Sequence, residues 1–223
     1  MNESVCQTYH YQNGFSASGG ISYHSHFDKN FKVRSDQNYQ EKTGFSWDLS
    51  YLNTKLVSER VAFTYGIGAT SLRNVFSTKA LNYSRNDGSN EKYNFIRTDQ
   101  VVDAYHIGLT FRWSVFLNPG RSRFYLGPGF TFSAPVFFVA DVKGATAETD
   151  TISFKDKYFT EKGPYLFIPL EAFAGYQFEF QDCSLFRAET FFLFRAQGLI
   201  QKSDDKILSR FFGLRVLYFF SNE

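Results

Sequence analysis

The sequence predicts an all-β protein: a single antiparallel up-and-down transmembrane β-barrel of eight strands, with ten as the upper count. Three observations predict it. Aromatic side chains make up 20% of the chain while charged ones make up 21%, and Met occurs once. Apolar and polar residues alternate with period two through eight segments. The links between those segments are long and short in strict turn. The composition excludes other classes. A disordered chain carries few aromatics. A helical membrane protein needs about 18 or more consecutive apolar residues, and the longest apolar stretch is Ala134-Pro135-Val136-Phe137-Phe138-Val139-Ala140. A helical bundle would lean on Leu, Ala and Met. Aromatics suit a pleated surface instead.

The eight segments follow in order. Phe15, Ala17, Gly19, Ile21 and Tyr23 alternate with Ser16, Ser18, Gly20 and Ser22. Phe45, Trp47, Leu49 and Tyr51 alternate with Ser46, Asp48 and Ser50. Val61, Phe63, Tyr65, Ile67 and Ala69 form the third. The fourth is Tyr105, Ile107, Leu109, Phe111, Trp113 and Val115, against His106, Thr110 and Arg112. The fifth is Phe124, Leu126, Pro128, Phe130 and Phe132. The sixth runs from Leu166 to Phe178, against Glu171 and Glu179. The seventh sets Phe186, Ala188, Phe192 and Phe194 against Arg187, Glu189 and Arg195. The eighth sets Leu208, Phe212, Leu214, Val216, Tyr218 and Phe220 against Ser209, Gly213 and Arg215. Each run suits the roughly 9 to 11 tilted residues that cross a bilayer better than the 5 or 6 of a common soluble strand.

Long links at about 25–44, 70–104, 133–165 and 197–207 alternate with short ones at 53–60, 118–121 and 181–182. A membrane barrel has short turns at one end and long loops at the other; a soluble meander has no reason to alternate. Segments 136–142 and 151–159 are expected to extend their hairpins above the membrane. The chain reads as one domain over 1–223, with 1–13 as a periplasmic N-terminal segment.

The polar phase decides which face is wet. Asp48, Arg112, Glu171, Glu179, Arg187, Glu189, Arg195 and Arg215 share it with small residues. A lipocalin-like barrel would turn this phase to water and pack the aromatics inside. That many aromatics would overfill an eight-stranded barrel, whose interior is only wide enough for side chains to fill it. The charges are therefore expected in the lumen as a paired network, and the aromatics toward lipid. Two features fit this poorly. Pro128 and Pro169 cannot donate to a ladder, so a bulge is expected at each. Phe191 and Leu193 fall in the lumen phase and Thr190 in the lipid phase, which suggests a register shift in the seventh strand.

The final strand ends Val216-Leu217-Tyr218-Phe219-Phe220, which resembles the aromatic C-terminal pattern of bacterial outer-membrane barrels. Over roughly 14–220 the chain resembles small eight-stranded barrels of the OmpA/OmpX architecture, and within them the PorT-like family of Bacteroidota. The resemblance rests on Phe124-Tyr125-Leu126-Gly127-Pro128-Gly129-Phe130, Tyr165-Leu166-Phe167-Ile168-Pro169-Leu170 and Phe212-Gly213-Leu214-Arg215-Val216. It implies a bacterial outer-membrane location and no shared catalytic residues. Such barrels carry a signal peptide; the start Met1-Asn2-Glu3-Ser4-Val5 has no basic or apolar segment, so a processed or engineered form is expected.

The remaining candidates are few. His24 and His26 share a face beside Ser25 and Asp28, a spacing open to a metal site with a third ligand, to acyl transfer, or to plain surface histidines. Lipid A deacylase barrels use a His, a Ser and an acid, but their His-x-Ser-Asn pattern is absent. His106 reads as a polar lumen filler. Cys6 and Cys183 fall at the same, periplasmic end, either bonded in that oxidising compartment or as two thiols. The net charge of +2, with Lys and Arg mixed among acids, gives no nucleic-acid footprint. No cofactor or metal is expected. The expectation is a non-enzymatic structural or accessory subunit. It would be surrounded by outer-membrane lipid and lipopolysaccharide and bind other outer-membrane proteins or an extracellular partner. A lipid-modifying enzyme and a small-solute or ion pore are the alternatives.

Overall fold

Apolar residues at every second position leave a strand with one apolar face, and here the ladder closes on itself. The computed structural model describes residues 11–27, 39–84, 92–118, 120–146, 151–159, 167–197 and 206–220. Its elements are β1 (Gln12–Phe27), β2 (Tyr39–Lys42), β3 (Gly44–Ser58), β4 (Val61–Ser84), β5 (Lys92–Phe116), β6 (Ser122–Thr146), β7 (Thr151–Phe159), β8 (Leu170–Glu179), β9 (Leu185–Gln197) and β10 (Lys206–Phe219). All pairings are antiparallel, and neighbours run β1-β3-β4-β5-β6-β8-β9-β10, with β10 pairing back onto β1. The ring therefore holds eight strands.

The two extra segments are upper halves of barrel strands. β2 continues β3 along β4: Lys42 faces Val75 and Trp47 faces Ser71. β7 continues β8 along β6: Phe159 faces Phe137, and Phe167 bridges to Ser133. Two interruptions thus account for ten segments in eight strands.

The faces divide as the alternation demands. Phe15, Phe45, Leu109, Phe124, Phe212 and Leu214 are exposed on the outside, while Arg112, Glu171, Arg187, Glu189 and Arg215 are buried within. A soluble barrel would show the reverse, so the lipocalin-like alternative fails. Gly120 adopts φ 108° in the short turn between β5 and β6, a conformation open to Gly because it lacks a Cβ.

Several expectations need correction. The links at 70–104 and 133–165 are not mainly loops; of 25–44, residues 25–27, 39–42 and 44 are strand and 28–38 lie outside the described residues. β4 and β5 stay paired up to Ser84 and Lys92, and β6 and β7 extend as expected at 136–142 and 151–159. Polar residues there mark strands whose outer faces are wet, a pattern that composition alone reads as loop. β1 begins at Gln12, so the N-terminal segment is shorter than 1–13.

No bulge forms at Pro128 or Pro169. The β6–β8 register is the same from Ser122 to Ser133. Pro169 lies just before β8 and still offers its carbonyl to the Thr131 N–H at 3.1 Å. At Pro128 the β5–β6 ladder skips Gly127 and Pro128 without shifting, and a Cβ on Gly127 would meet the Trp113 carbonyl. A bulge lies instead at Val136, beside Pro135, where Tyr105 faces Phe137 and His106 faces Pro135.

β9 has no register shift either. Phe191 remains in the lumen because the charge network there offers it a cationic partner.

Candidate functional site

The lumen is filled in layers. At its middle, β5, β8, β9 and β10 each contribute one charge. Arg112 Nε donates to Glu171 Oε1 at 3.0 Å, and its Nη2 donates to Glu189 Oε1. Arg215 Nη1 donates to Glu171 Oε1 at 2.7 Å and to Glu189 Oε1 at 2.9 Å, and its Nη2 reaches Glu171 Oε2 at 2.8 Å. Two arginines and two glutamates thus form a closed four-way set. Tyr125 completes it, its hydroxyl donating to Glu189 Oε2 at 2.9 Å. Aromatic faces cover the guanidinium groups: Arg112 lies 3.9 Å from the Phe173 ring and Arg215 4.2 Å from the Phe191 ring. Stacking of this kind desolvates a cation while offering it a negative ring face.

Toward the short-turn end the lumen is more apolar. Arg187 has no carboxylate within salt-bridge distance among the described residues. Its Nε donates to the Gln177 amide oxygen at 2.8 Å, and its guanidinium sits 5.0 Å from Phe219 and 5.4 Å from Tyr125. Arg123 lies 3.8 Å from Glu179. Leu52, Leu185, Leu217 and Phe219 pack beneath. This end is a plug.

Toward the long-hairpin end the network opens into a cavity of about 40 Å³ bordered by Asp48, Thr70, His106, Thr110 and Arg215. That is room for roughly one to three waters. Asp48 is held by hydroxyls: Thr70 Oγ1 donates at 3.0 Å and Ser50 Oγ at 3.1 Å. His106 is buried, edge-on to the Phe167 ring at 5.8 Å.

The structure brings Asp48, Arg112, Glu171, Glu179, Arg187, Glu189 and Arg215 into one lumen. Arg195 stands in β9 opposite Ser209, with its side chain outside the described residues. The expected pairing of four arginines with four acids holds in part. Asp48 and Arg187 each find neutral partners instead. Arg123 and Tyr125 were missed, although both occupy the lumen phase of β6; a bulky Tyr among lumen glycines was the available signal.

His24, Ser25 and His26 lie in β1 opposite Ser209, Leu208 and Ile207. Their side chains, and all of Asp28, fall outside the described residues. Cys183 adopts φ 64° in the β8–β9 turn and is disulfide-bonded. The Gln12 amide donates to its carbonyl at 2.7 Å. Cys6, the other cysteine of the chain, lies outside the described residues.

Outside the barrel, aromatic rings gather in two belts. The lower one includes Phe63, Trp113, Phe111 and Phe130, with Phe63 and Trp113 5.2 Å apart. In the upper one Tyr105 stacks on Phe137 at 4.4 Å and meets Trp47 at 6.4 Å. Val115 and Tyr105 are ten residues apart on β5; at about 3.3 Å per residue and a tilt near 40°, that separation is about 25 Å of height. Above the upper belt the outer face becomes charged. Arg73 binds Asp103 bidentately at 2.8 and 2.9 Å, and Lys42 reaches Asp99 at 3.0 Å. Ser77 and Lys42 donate to Asp99 and hold its carboxyl below the ordinary aspartate value.

No family model and no curated protein matches the chain. Among solved structures, it is similar to the attachment invasion locus protein Ail of Yersinia pestis, at 13% identity over 92% of this chain and 99% of that one, with a TM-score of 0.30. It is also similar to the outer membrane protease OmpT from Escherichia coli, at 10% identity over 97% and 99%, with a TM-score of 0.47. A third is the outer membrane protein OprG from Pseudomonas aeruginosa, at 9% identity over 93% and 97%, with a TM-score of 0.38. The fold of this chain rests on its own closed strand register.

Proposed function

We propose that the chain is an integral bacterial outer-membrane β-barrel without enzymatic activity. In this reading it is a structural or accessory subunit that engages a larger outer-membrane complex or an extracellular partner. One observation carries it: an exposed apolar band about 25 Å tall, from the level of Val115 to that of Tyr105 and carrying two aromatic belts, wrapped around a lumen closed by ion pairs. Water would not tolerate that exterior on a lone soluble protein. The tall β4–β5 and β6–β7 hairpins supply the surface for a partner. The PorT-like resemblance supports the same reading; two of its segments lie in β6 and β10 and the third partly outside the described residues. The cysteines fit a Cys6–Cys183 bridge tying the N-terminal segment to the β8–β9 turn, which a faster non-reducing gel migration, lost in Cys183→Ser, would reveal.

The pore reading is the weaker one. Arg187 with Phe116, Tyr125 and Phe219 fills the axis at the short-turn end, so planar bilayers should show no conductance steps. The enzyme reading has no assembled site among the described residues; unchanged lipid A masses with and without the protein would dismiss it. Heat-modifiable gel migration after detergent extraction tests the barrel, and a stable monomer purified without detergent would overturn it. Co-purification from native membranes tests the subunit role: a partner barrel or surface protein is expected, and recovery of the chain alone would count against it.

A further inference from the structure

The apolar outer face of β10 runs Phe220, Tyr218, Val216, Leu214, Phe212 and then Arg210. Arg210 is exposed and stands opposite Tyr23 of β1 and Phe194 of β9. Ten residues separate it from Phe220, which places it about 25 Å above that ring at the short-turn end of the barrel by the same rise and tilt. It therefore sits at the upper margin of the apolar band, where an outer leaflet carries its headgroups.

Arg73 has the matching position on β4, ten residues above Phe63 of the lower belt. The two differ in one respect. Arg73 is neutralised by Asp103 in a bidentate pair. Among the described residues no carboxylate pairs with Arg210. Among the described residues the strands around it reach Phe27 in β1, Gln197 in β9 and Lys206 in β10. β4 and β5 continue thirteen residues beyond Ser71 and Tyr105. An unpaired guanidinium flanked by a tyrosine and a phenylalanine, above aliphatic and aromatic side chains, suits a ligand that is anionic at one end and apolar at the other.

We infer that Arg210 holds the phosphate of an outer-leaflet lipid, with the acyl chains lying along Phe212, Leu214 and Ile21. The inference rests on the outer-membrane reading above. The guanidinium would form a charge-assisted, fork-shaped pair with the phosphate oxygens, and Tyr23 would lend its phenol at the same level.

Native mass spectrometry of the full chain refolded in detergent tests it, with a bisphosphorylated lipid A as probe and its dephosphorylated form as control. Heat-modifiable migration is read on every variant, so loss of the barrel is seen separately from loss of lipid. The wild type should retain the phosphorylated lipid and release the dephosphorylated one. Arg210→Gln should lose about tenfold in retention, Arg210→Lys should lose less, and Arg73→Gln should match the wild type. Millimolar inorganic phosphate should not compete, since it lacks the acyl chains. Equal retention by Arg210→Gln, equal retention of the dephosphorylated lipid, or displacement by inorganic phosphate would each overturn the inference while leaving the barrel reading intact.

Discussion

The middle of the lumen and the outer rim use the same chemistry in different media. Arg112, Arg215, Glu171 and Glu189 are sealed between strands and rings, and every guanidinium there is stacked. Arg73 with Asp103 and Lys42 with Asp99 lie on the wet outer face, with Arg73 and Lys42 more than 40% exposed. Buried charges have lost their water, so each depends on its partner; exposed charges keep water as an alternative. Burial, more than the number of ion pairs, decides which ones hold the barrel together.

The largest effect should come from Glu189→Gln. It leaves Arg112, Arg215 and Tyr125 facing a neutral amide in a dry lumen, and stability should fall by about 3–5 kcal/mol, read as the temperature at which the compact gel form is lost. Phe191→Ala should come next. It removes the ring beneath Arg215 and opens a void against Phe211, whose ring lies 4.9 Å away, at a cost of about 3 kcal/mol. A loss below about 1 kcal/mol for either would erase the contrast with the rim. Arg73→Gln should cost no more than about 1 kcal/mol. Raising salt to 1 M should shrink that difference, since exposed pairs are screened, while leaving the Glu189→Gln difference in place.

The smallest effect is acid release of β2. Ser77 first and Lys42 second hold the Asp99 carboxyl below its ordinary value. The contribution is thus fully present above the unfolded aspartate value of about 3.9. It is lost as pH falls through the lower folded value. Hydrogen exchange at Gln40–Lys42 should accelerate below about pH 4, and Asp99→Asn should remove that pH dependence. Acceleration already at pH 6 would assign the β2–β4 contact to another group.

The charge network was legible in part because lumen charge leaves a simple trace: one polar residue at every second position. Arg112, Glu171, Glu189 and Arg215 were all visible this way. Their pairing was not, because partners come from β5, β8, β9 and β10, and only ring closure brings those strands around one axis. Arg123 and Tyr125 escaped because a Tyr reads as apolar until its hydroxyl is seen on Glu189. Phe191 looked like an error of register for the opposite reason: an aromatic in a polar phase makes sense only once Arg215 stacks on it.

The long hairpins show where sequence reading fails most. Above the membrane both faces of a strand can be polar, so period two disappears and 70–104 looks like loop. β4 and β5 remain a ladder there because each strand's backbone groups are satisfied by its neighbour, whatever its side chains are. The proline expectations failed for a related reason. A barrel ladder leaves some positions unpaired on one side, and Pro128 and Pro169 occupy such positions, which no side-chain pattern reveals.

The sequence by itself determined the class, the strand count and the side that faces lipid, since all three follow from local alternation and link length. Tertiary structure decided the ion-pair partners, the plug, the height of the hairpins and the isolation of Arg210. Those depend on which strands become neighbours when the sheet closes, and closure is a property of the whole ring.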